Sequence, residues 1–576
     1  MPDYRRSPNA AAAALAAIAL VLCLAAGCAR GSQADSSSEA EADGETQATA
    51  SDTGGPPELP RVFIDSHVVP STGRRIAVNA GDDLQRALDD AQPGDVLLLA
   101  PGAEFVGSFT LPRKTGDGWI TIRTAAPDLE LPPEGSRLTP AFAARLPKLV
   151  SRSDDPALRT APGAHHYRLL GLEITVRPDV RTSGAIVALG DWRGQTRTDQ
   201  VPHHLIVDRS FVHGHAALNT KRCIALNSAY TAIVDSYLAD CHGKGFDSQA
   251  ISGWNGPGPF KIVNDYLEGA GENVMFGGGD PAIHGLVPSD IEIRRNHFFK
   301  PLSWRGVWTV KNILELKNAQ RVLIEGNVFE NNWLDAQVGF ALVFKSENQS
   351  GGAPWSVTQN VTIRYNKLLN SPGGVDIMAT GNNIREPANR ILITDNLFDC
   401  RGSRFGALGR LWQLVEDPFE IDIEHNTGFA DTTALMLDTL QKSRVVVRDN
   451  IVTRGAYGIF GTGRGEGTAA INYYLPGSVI THNVLIGKSA AEYPAGNTFV
   501  ARLSDVGFVD FDHGNYRLGK GSRFKGAGTD GRDLGADFDA LEKATAGVVL
   551  SLGQHVATGK CPTRSVCSVT AAGNAK

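Results

Sequence analysis

IEIRRNHF at residues 291–298 is followed by VLIEGNVF at 322–329, VTIRYNKL at 361–368, ILITDNLF at 391–398 and VVVRDNIV at 445–452. The shared pattern is apolar, any, apolar, two further residues, asparagine, any, apolar, with the amides at Asn296, Asn327, Asn366, Asn396 and Asn450. Alternation of this kind is the two-residue period of a strand with one buried face. Degenerate copies surround the five: LIVDRSFV at Ser210, TAIVDSYL at Ser236, FKIVNDYL at Asp265, IDIEHNTG at Asn426 and SVITHNVL at Asn483. Successive copies stand 26, 29, 31, 31, 39, 30, 30, 24 and 33 residues apart. A repeat this long carries several strand-like runs, so each copy marks one coil of a solenoid whose neighbours stack above and below. Asparagine tolerates the left-handed conformation of a tight corner, and stacked at equivalent corners it forms an amide ladder.

This pattern resembles the right-handed parallel β-helix proteins of the pectate-lyase-like superfamily, over residues 75 to 520. The resemblance implies an all-β solenoid of ten or more coils closed by a short N-terminal α-helical cap. AGDDLQRALDDAQPGDVLLLAPGAEF, residues 80–105, looks like that cap helix and the first strand, with Asp82 or Asp83 at its start. NYRLGKGSRFKGAGTDGRDLGADFDAL, residues 515–541, resembles the terminal segment of such proteins. About ten coils at ~4.8 Å give a rod roughly 50 Å long, whose shallow groove suits a polymer.

The composition agrees: 63 glycines, 42% hydrophobic and only 20% charged residues suit a chain rich in turns and strands. A net charge of −6 offers no basic footprint, so nucleic acid is excluded as a partner. Arg5 and Arg6 precede an alanine-rich apolar run that reads as a signal peptide over 1–27, and LAAGC resembles a bacterial lipobox with Cys28 as the lipidated residue. Residues 28–60 read as a disordered acidic linker, 61–540 as the β-helix and 541–576 as a C-terminal tail. The expected product is an exported, cell-envelope lipoprotein, or a secreted one, monomeric and touching membrane only through its lipid. Cys561 and Cys567 are close enough to staple a terminal loop; Cys223 and Cys241 either bridge adjacent layers or stay buried thiols.

Each coil holds a second strand upstream of its asparagine, and its outward residues carry the candidate chemistry. With Leu314 and Leu316 facing the core, Glu315 and Lys317 point outward; Val343, Lys345, Asp376 and Met378 follow in later coils. GENVMFGGGDP, residues 271–281, adds Glu272, with Asn273 and Met275 outward, Val274 and Phe276 inward and Asp280 at the exit. Asn227, Asp247 and Gln249 continue the face upstream.

The β-helix polysaccharide lyases supply a mechanism for such a face, in which a uronate carboxylate is neutralised and a base removes the adjacent proton. The resemblance implies catalytic roles for Lys317, Lys345 and Glu315, with Lys317's pKa depressed by Lys345 and by burial under Trp308 and Trp333, and with Arg305 and Lys311 in reserve. Glu272, Glu315 and Asp280 are the expected Ca²⁺ ligands. Gln249, Trp254, Asn273, Trp308 and Trp333 are the expected polysaccharide contacts, Trp254 being presented by the loop GWNGPGPF. A hydrolase using paired carboxylates from Asp247, Glu272 and Asp280 is one alternative. A non-catalytic carbohydrate-binding or adhesion protein is the other. HHLIVDRSFVHGH offers His213 and His215 as a further metal pair, set against ordinary surface histidines.

Overall fold

The computed structural model describes residues 55–550, apart from 381–382 and 406–408. Its strands stack into three sheets of 14, 13 and 14 strands, parallel except for the edge strand Gly465–Glu466 of the second, the architecture of a right-handed parallel β-helix. One coil illustrates the path. Ser289–Arg294 lies in the sheet that carries the repeats, His297–Phe299 in a downstream sheet, and Leu314–Leu316 in an upstream sheet; Ala319–Glu325 then begins the next coil. The sequence showed two strands per coil; the third is the short run just after each asparagine.

Inward residues form one continuous apolar core from Val78 to Leu485, stacking like on like: Ile293 on Ile324 on Ile363 on Ile393 on Ile423. Each such fully buried aliphatic stabilises by about 1.5–3 kcal/mol relative to exposure.

The asparagines form the expected ladder. Asn327 Nδ2 donates to Ile293 O at 2.9 Å and to Asn366 Oδ1 at 3.0 Å, while its own Oδ1 accepts the Asn296 backbone N–H at 2.9 Å. The ladder continues through Asn396, Asn426, Asn450 and Asn483 to Asn497, one rung past the recognised repeats. The left-handed residue, however, is the one before each asparagine: Arg295 (φ 55°), Tyr365 (54°), Asp395 (54°) and Asp449 (59°). The asparagine thus supplies the hydrogen bonds of the corner, and its predecessor supplies the turn.

At the N-terminal end, helix Leu84–Asp90 is capped by the Asp83 carboxylate, which accepts from Arg86 N, and it buries Leu84 and Leu88 in the core. At the other end, helix Phe538–Thr545 crosses the boundary expected at residue 540. It packs Phe538 and Leu541 on Leu397 and Phe429. A Cβ on Gly326 (φ 67°) would stand 2.9 Å from Ala544 O, so glycine at that corner suits the docked helix. Cys223 and Cys241 form a disulfide between two sheets, and Cys400 is a buried thiol. Cys28, Cys561 and Cys567 lie outside the described residues. Among those residues, no helix is long and apolar enough to cross a membrane.

Candidate functional site

The upstream sheet positions the site, and a bend in its strands decides which side chains face out. Simple alternation fails once per coil: Cys223 and Ile224, Ala250 and Ile251, Ile313 and Leu314, and Ala341 and Leu342 are consecutive pairs that all enter the core. In the coil of GENVMFGGGDP, the N–H groups of Asn273 and Val274 both reach Ile313 O, at 2.9 and 3.2 Å, the two-on-one pairing of a bulge. The outward face therefore splits into two columns. Arg222, Gln249 and Glu272 align in one; Met275, Glu315, Val343, Asp376 and Gln413 align in the other.

Glu272 and Glu315 are both completely buried. Gln249 Nε2 donates to Glu272 Oε2 at 2.8 Å. Lys311 Nζ lies 2.6 Å from Asp247 Oδ2 and 3.9 Å from Glu272 Oε1. Lys317 Nζ sits 3.4 Å from Glu315 Oε1 and 3.9 Å from Glu347 Oε2, and Lys345 Nζ 3.9 Å and 2.5 Å from the same two oxygens. Three lysines on two neighbouring coils are thus held by two buried and two partly exposed carboxylates. The expected catalytic trio of Glu315, Lys317 and Lys345 is brought together, with Lys311 beside it.

The electrostatics differ from expectation. Burial works to lower the Lys317 pKa, but the carboxylates of Glu315, Glu347 and Glu272 outweigh it and hold the ammonium above its ordinary value. Lys311 is raised as well; burial opposes the rise, and Glu272 and Asp247 overcome it. Burial, reinforced by Glu315 and Asp247, pushes the Glu272 carboxyl up to about 7. Farther along the face Asp376 is raised to about 6 by burial, and accepts from Gln413 Nε2 at 3.1 Å.

Other expected residues lie elsewhere. Asn273 is turned inward by the bend, and its Nδ2 donates to Leu267 O and Phe299 O, which makes it a corner brace. Asp280 accepts from Ser350 N and Gly352 N, so it ties two loops together rather than joining Glu272. Trp333 is buried in a satellite cluster with Trp304 and Val310; Trp308 packs at its edge and stacks on His242 at 3.9 Å. Trp254 is nearly buried, edge-on to Trp192, with the Arg222 guanidinium 5.2 Å from its ring. His213 pairs with Glu173 at 3.3 Å, and His215 is exposed.

Two features escaped the sequence reading. Lys300 is wholly buried, and its ammonium donates to the carbonyls of Gly269, Ala270 and Gly271, bracing the chain just before Glu272. Burial pulls its pKa down to about 7 against the attraction of Glu272. The only signal was a lysine in an apolar run, HFFKPL. In the downstream sheet, a cavity of 460 Å³ is lined by Tyr237, Asp240, Glu268, Trp304 and Trp308. There Glu268 accepts from Tyr266 Oη at 2.5 Å, and burial raises it to about 7.

No family model and no curated protein matches the chain. Solved structures match its fold. A mannuronic-acid-specific family 6 polysaccharide lyase from the human gut microbiota superposes with TM-score 0.50 at 12% identity, over 74% of this chain and 91% of that one. A family 6 alginate lyase gives TM-score 0.44 at 14% identity, over 81% of this chain and 58% of that one. The catalytic unit of a family 87 α-1,3-glucanase from Streptomyces thermodiastaticus gives 0.44 at 12%, over 76% and 71%. The chain is a right-handed parallel β-helix protein, similar in fold to these enzymes.

Proposed function

We propose that this protein binds an acidic polysaccharide along the outward face of the upstream sheet and cleaves it by β-elimination. The observation that carries this reading is the lysine strip. Lys311, Lys317 and Lys345 keep 12–17% of their side chains accessible, while Glu272 and Glu315 beneath them are wholly buried and hold them in place. Fixed ammonium groups neutralise a uronate carboxylate, which makes the adjacent carbon acidic. Lys317 in its neutral form takes that proton, the bond to the leaving oxygen breaks, and Lys311 returns a proton to that oxygen. That superposable β-helix proteins include polysaccharide lyases supports the class of reaction.

Glu272 and Glu315 are the residues that would hold Ca²⁺. Glu272 Oε1, both Glu315 oxygens and Gln249 Oε1 are buried without a hydrogen bond, and oxygen donors suit that ion. Asp280 does not fit, because both its oxygens already accept backbone N–H groups. An ion held there would add positive charge to the face that Lys311, Lys317 and Lys345 present to a uronate carboxylate. The proposal extends to export and lipid anchoring through Cys28, which loss of fatty-acid labelling in Cys28→Ser would check.

The test is incubation with a panel of uronate polymers, with and without chelator, following the absorbance of unsaturated product. Lys317→Ala and Lys345→Ala are expected to cut the rate by at least about a hundredfold. No absorbance on any polymer overturns the elimination reading.

A second reading rests on the aromatic-walled cavity of the downstream sheet. There burial raises Glu268 to about 7 and Asp240 lines the same cavity, so two carboxyl groups of the kind that glycoside hydrolysis uses share one wall. Release of reducing sugar without unsaturated product, lost in Glu268→Gln, would favour it.

A further inference from the structure

AHHYRLLG at 164–171 and PHHLIVDR at 202–209 occupy neighbouring coils of the repeat sheet, where His203 pairs in register with His165. Neighbouring strand residues ordinarily face opposite sides. Here His166 (φ 58°) and His204 (φ 54°) adopt the left-handed conformation, and this folds each pair onto one side. His165 Nδ1 lies 2.8 Å from His166 Nδ1, and His203 Nδ1 lies 2.7 Å from His204 Nδ1. Across the coils, His165 stacks on His203 and His166 on His204, with ring centroids 4.9 and 4.6 Å apart. The four imidazoles are half-buried, walled by Trp119 and Tyr230.

Nitrogen atoms of His166, His203 and His204 all fall within 4.8 Å of one another, and a second such group joins Asp117, His165 and His166. Among the described residues, these are the groups of three potential ligand atoms that come so close. The surroundings suit ligands as well. His165 Nε2 lies 3.0 Å from Lys114 O, a carbonyl that takes the ring N–H and leaves the Nδ1 lone pair facing the cluster. His165, which is outside the group of His166, His203 and His204, thereby orients the His166 ring that it contacts.

We propose that these paired histidines form a binding site for a borderline divalent transition ion of the Zn²⁺ class. His166, His203 and His204 are its ligands, and Asp117, which groups with His165 and His166, is the carboxylate beside the shared ligand His166. Imidazole-rich sites with one carboxylate select such ions over Ca²⁺ and Mg²⁺, which take oxygen ligands. The site lies in a different sheet from the lysine strip, so it ties two coils together independently of the proposed chemistry.

The test is titration of the purified, chelator-treated protein with Zn²⁺ alone by calorimetry, and with Co²⁺ by visible absorption. One equivalent of Zn²⁺ is expected, displacing Co²⁺ and raising the melting temperature, with no response to Mg²⁺. His166→Ala combined with His204→Ala should lose that equivalent, and Asp117→Asn, at an exposed position, should weaken it. His213→Ala with His215→Ala should leave it intact, and circular dichroism checks that each variant is folded. Absence of saturable Zn²⁺ binding, or equal binding by the folded double His166/His204 variant, overturns the proposal and leaves the rings as a stacking ladder alone.

Discussion

A single asparagine of the ladder does the work of several groups, and this makes its removal legible. Asn366 Nδ2 donates to Ile324 O, Arg364 O and Asn396 Oδ1, and its Oδ1 accepts from the backbone N–H and side chain of Asn327. Alanine there leaves buried donors and acceptors unpaired, at about 1–3 kcal/mol for the first such group. Asn366→Ala is expected to lower the denaturation midpoint and to speed hydrogen exchange at the Asn327 amide. Unchanged protection at that amide would contradict the ladder's role. The ladder was readable in the sequence because its asparagines recur at fixed positions in an apolar frame. The corner geometry was not: Arg295, Tyr365 and Asp395 share no side-chain chemistry that marks a left-handed residue. His203 and His204 were visible in HHLIVDRSFVHGH, but their partners His165 and His166 lie on a coil before the ladder begins, so the stacking of one pair on the other was not.

At the scale of the strand, alternation counted from Leu314 and Leu316 placed Glu315, Lys317 and Lys345 together, and the register brings them within ion-pair reach. The same counting misplaced Asn273, because the bulge beside Ile313 puts two consecutive residues inside. Trp308, Trp333 and Asp280 come from long loops, where no period constrains direction. Two predictions belong to this face. Glu272 is raised to about 7 when folded, chiefly by burial, so between its unfolded pKa and that value the folded state keeps a proton the unfolded chain has lost. Its contribution to stability is therefore greatest in acid and declines as pH rises to about 7. Glu272→Gln should flatten that part of the stability profile, measured by urea denaturation from pH 4 to 8; an unchanged slope would refute the assignment. The second concerns Lys317. Because the Glu315 carboxylate raises its pKa, elimination should rise with pH on an alkaline limb, and Glu315→Gln should move that limb to lower pH. A limb that stays put would remove Lys317 as the base.

Over the whole molecule, stacking turns local residues into an extended surface. The outward columns run from Arg222 through Gln249 to Glu272, and from Met275 through Glu315, Val343 and Asp376 to Gln413, one coil to the next along the upstream sheet. Six steps at ~4.8 Å make a strip of about 29 Å. On the proposed reading, the accessible cations of that strip, Lys311, Lys317 and Lys345 with Arg410 farther along, would grip several sugars of one acidic chain, whereas a disaccharide would engage only the central lysines. Binding to remote, non-reacting sugars can be spent on orienting the reacting one, so short substrates lose turnover as well as affinity. The expected outcome is a kcat/KM that climbs with oligosaccharide length and levels off once the strip is spanned. Arg410→Ala, at the far end and within 2.6 Å of Gln413 Oε1, should penalise long oligomers and leave short ones unaffected. Equal kcat/KM for a disaccharide and a long oligomer would mean that the coils beyond Lys345 serve the fold and not the substrate.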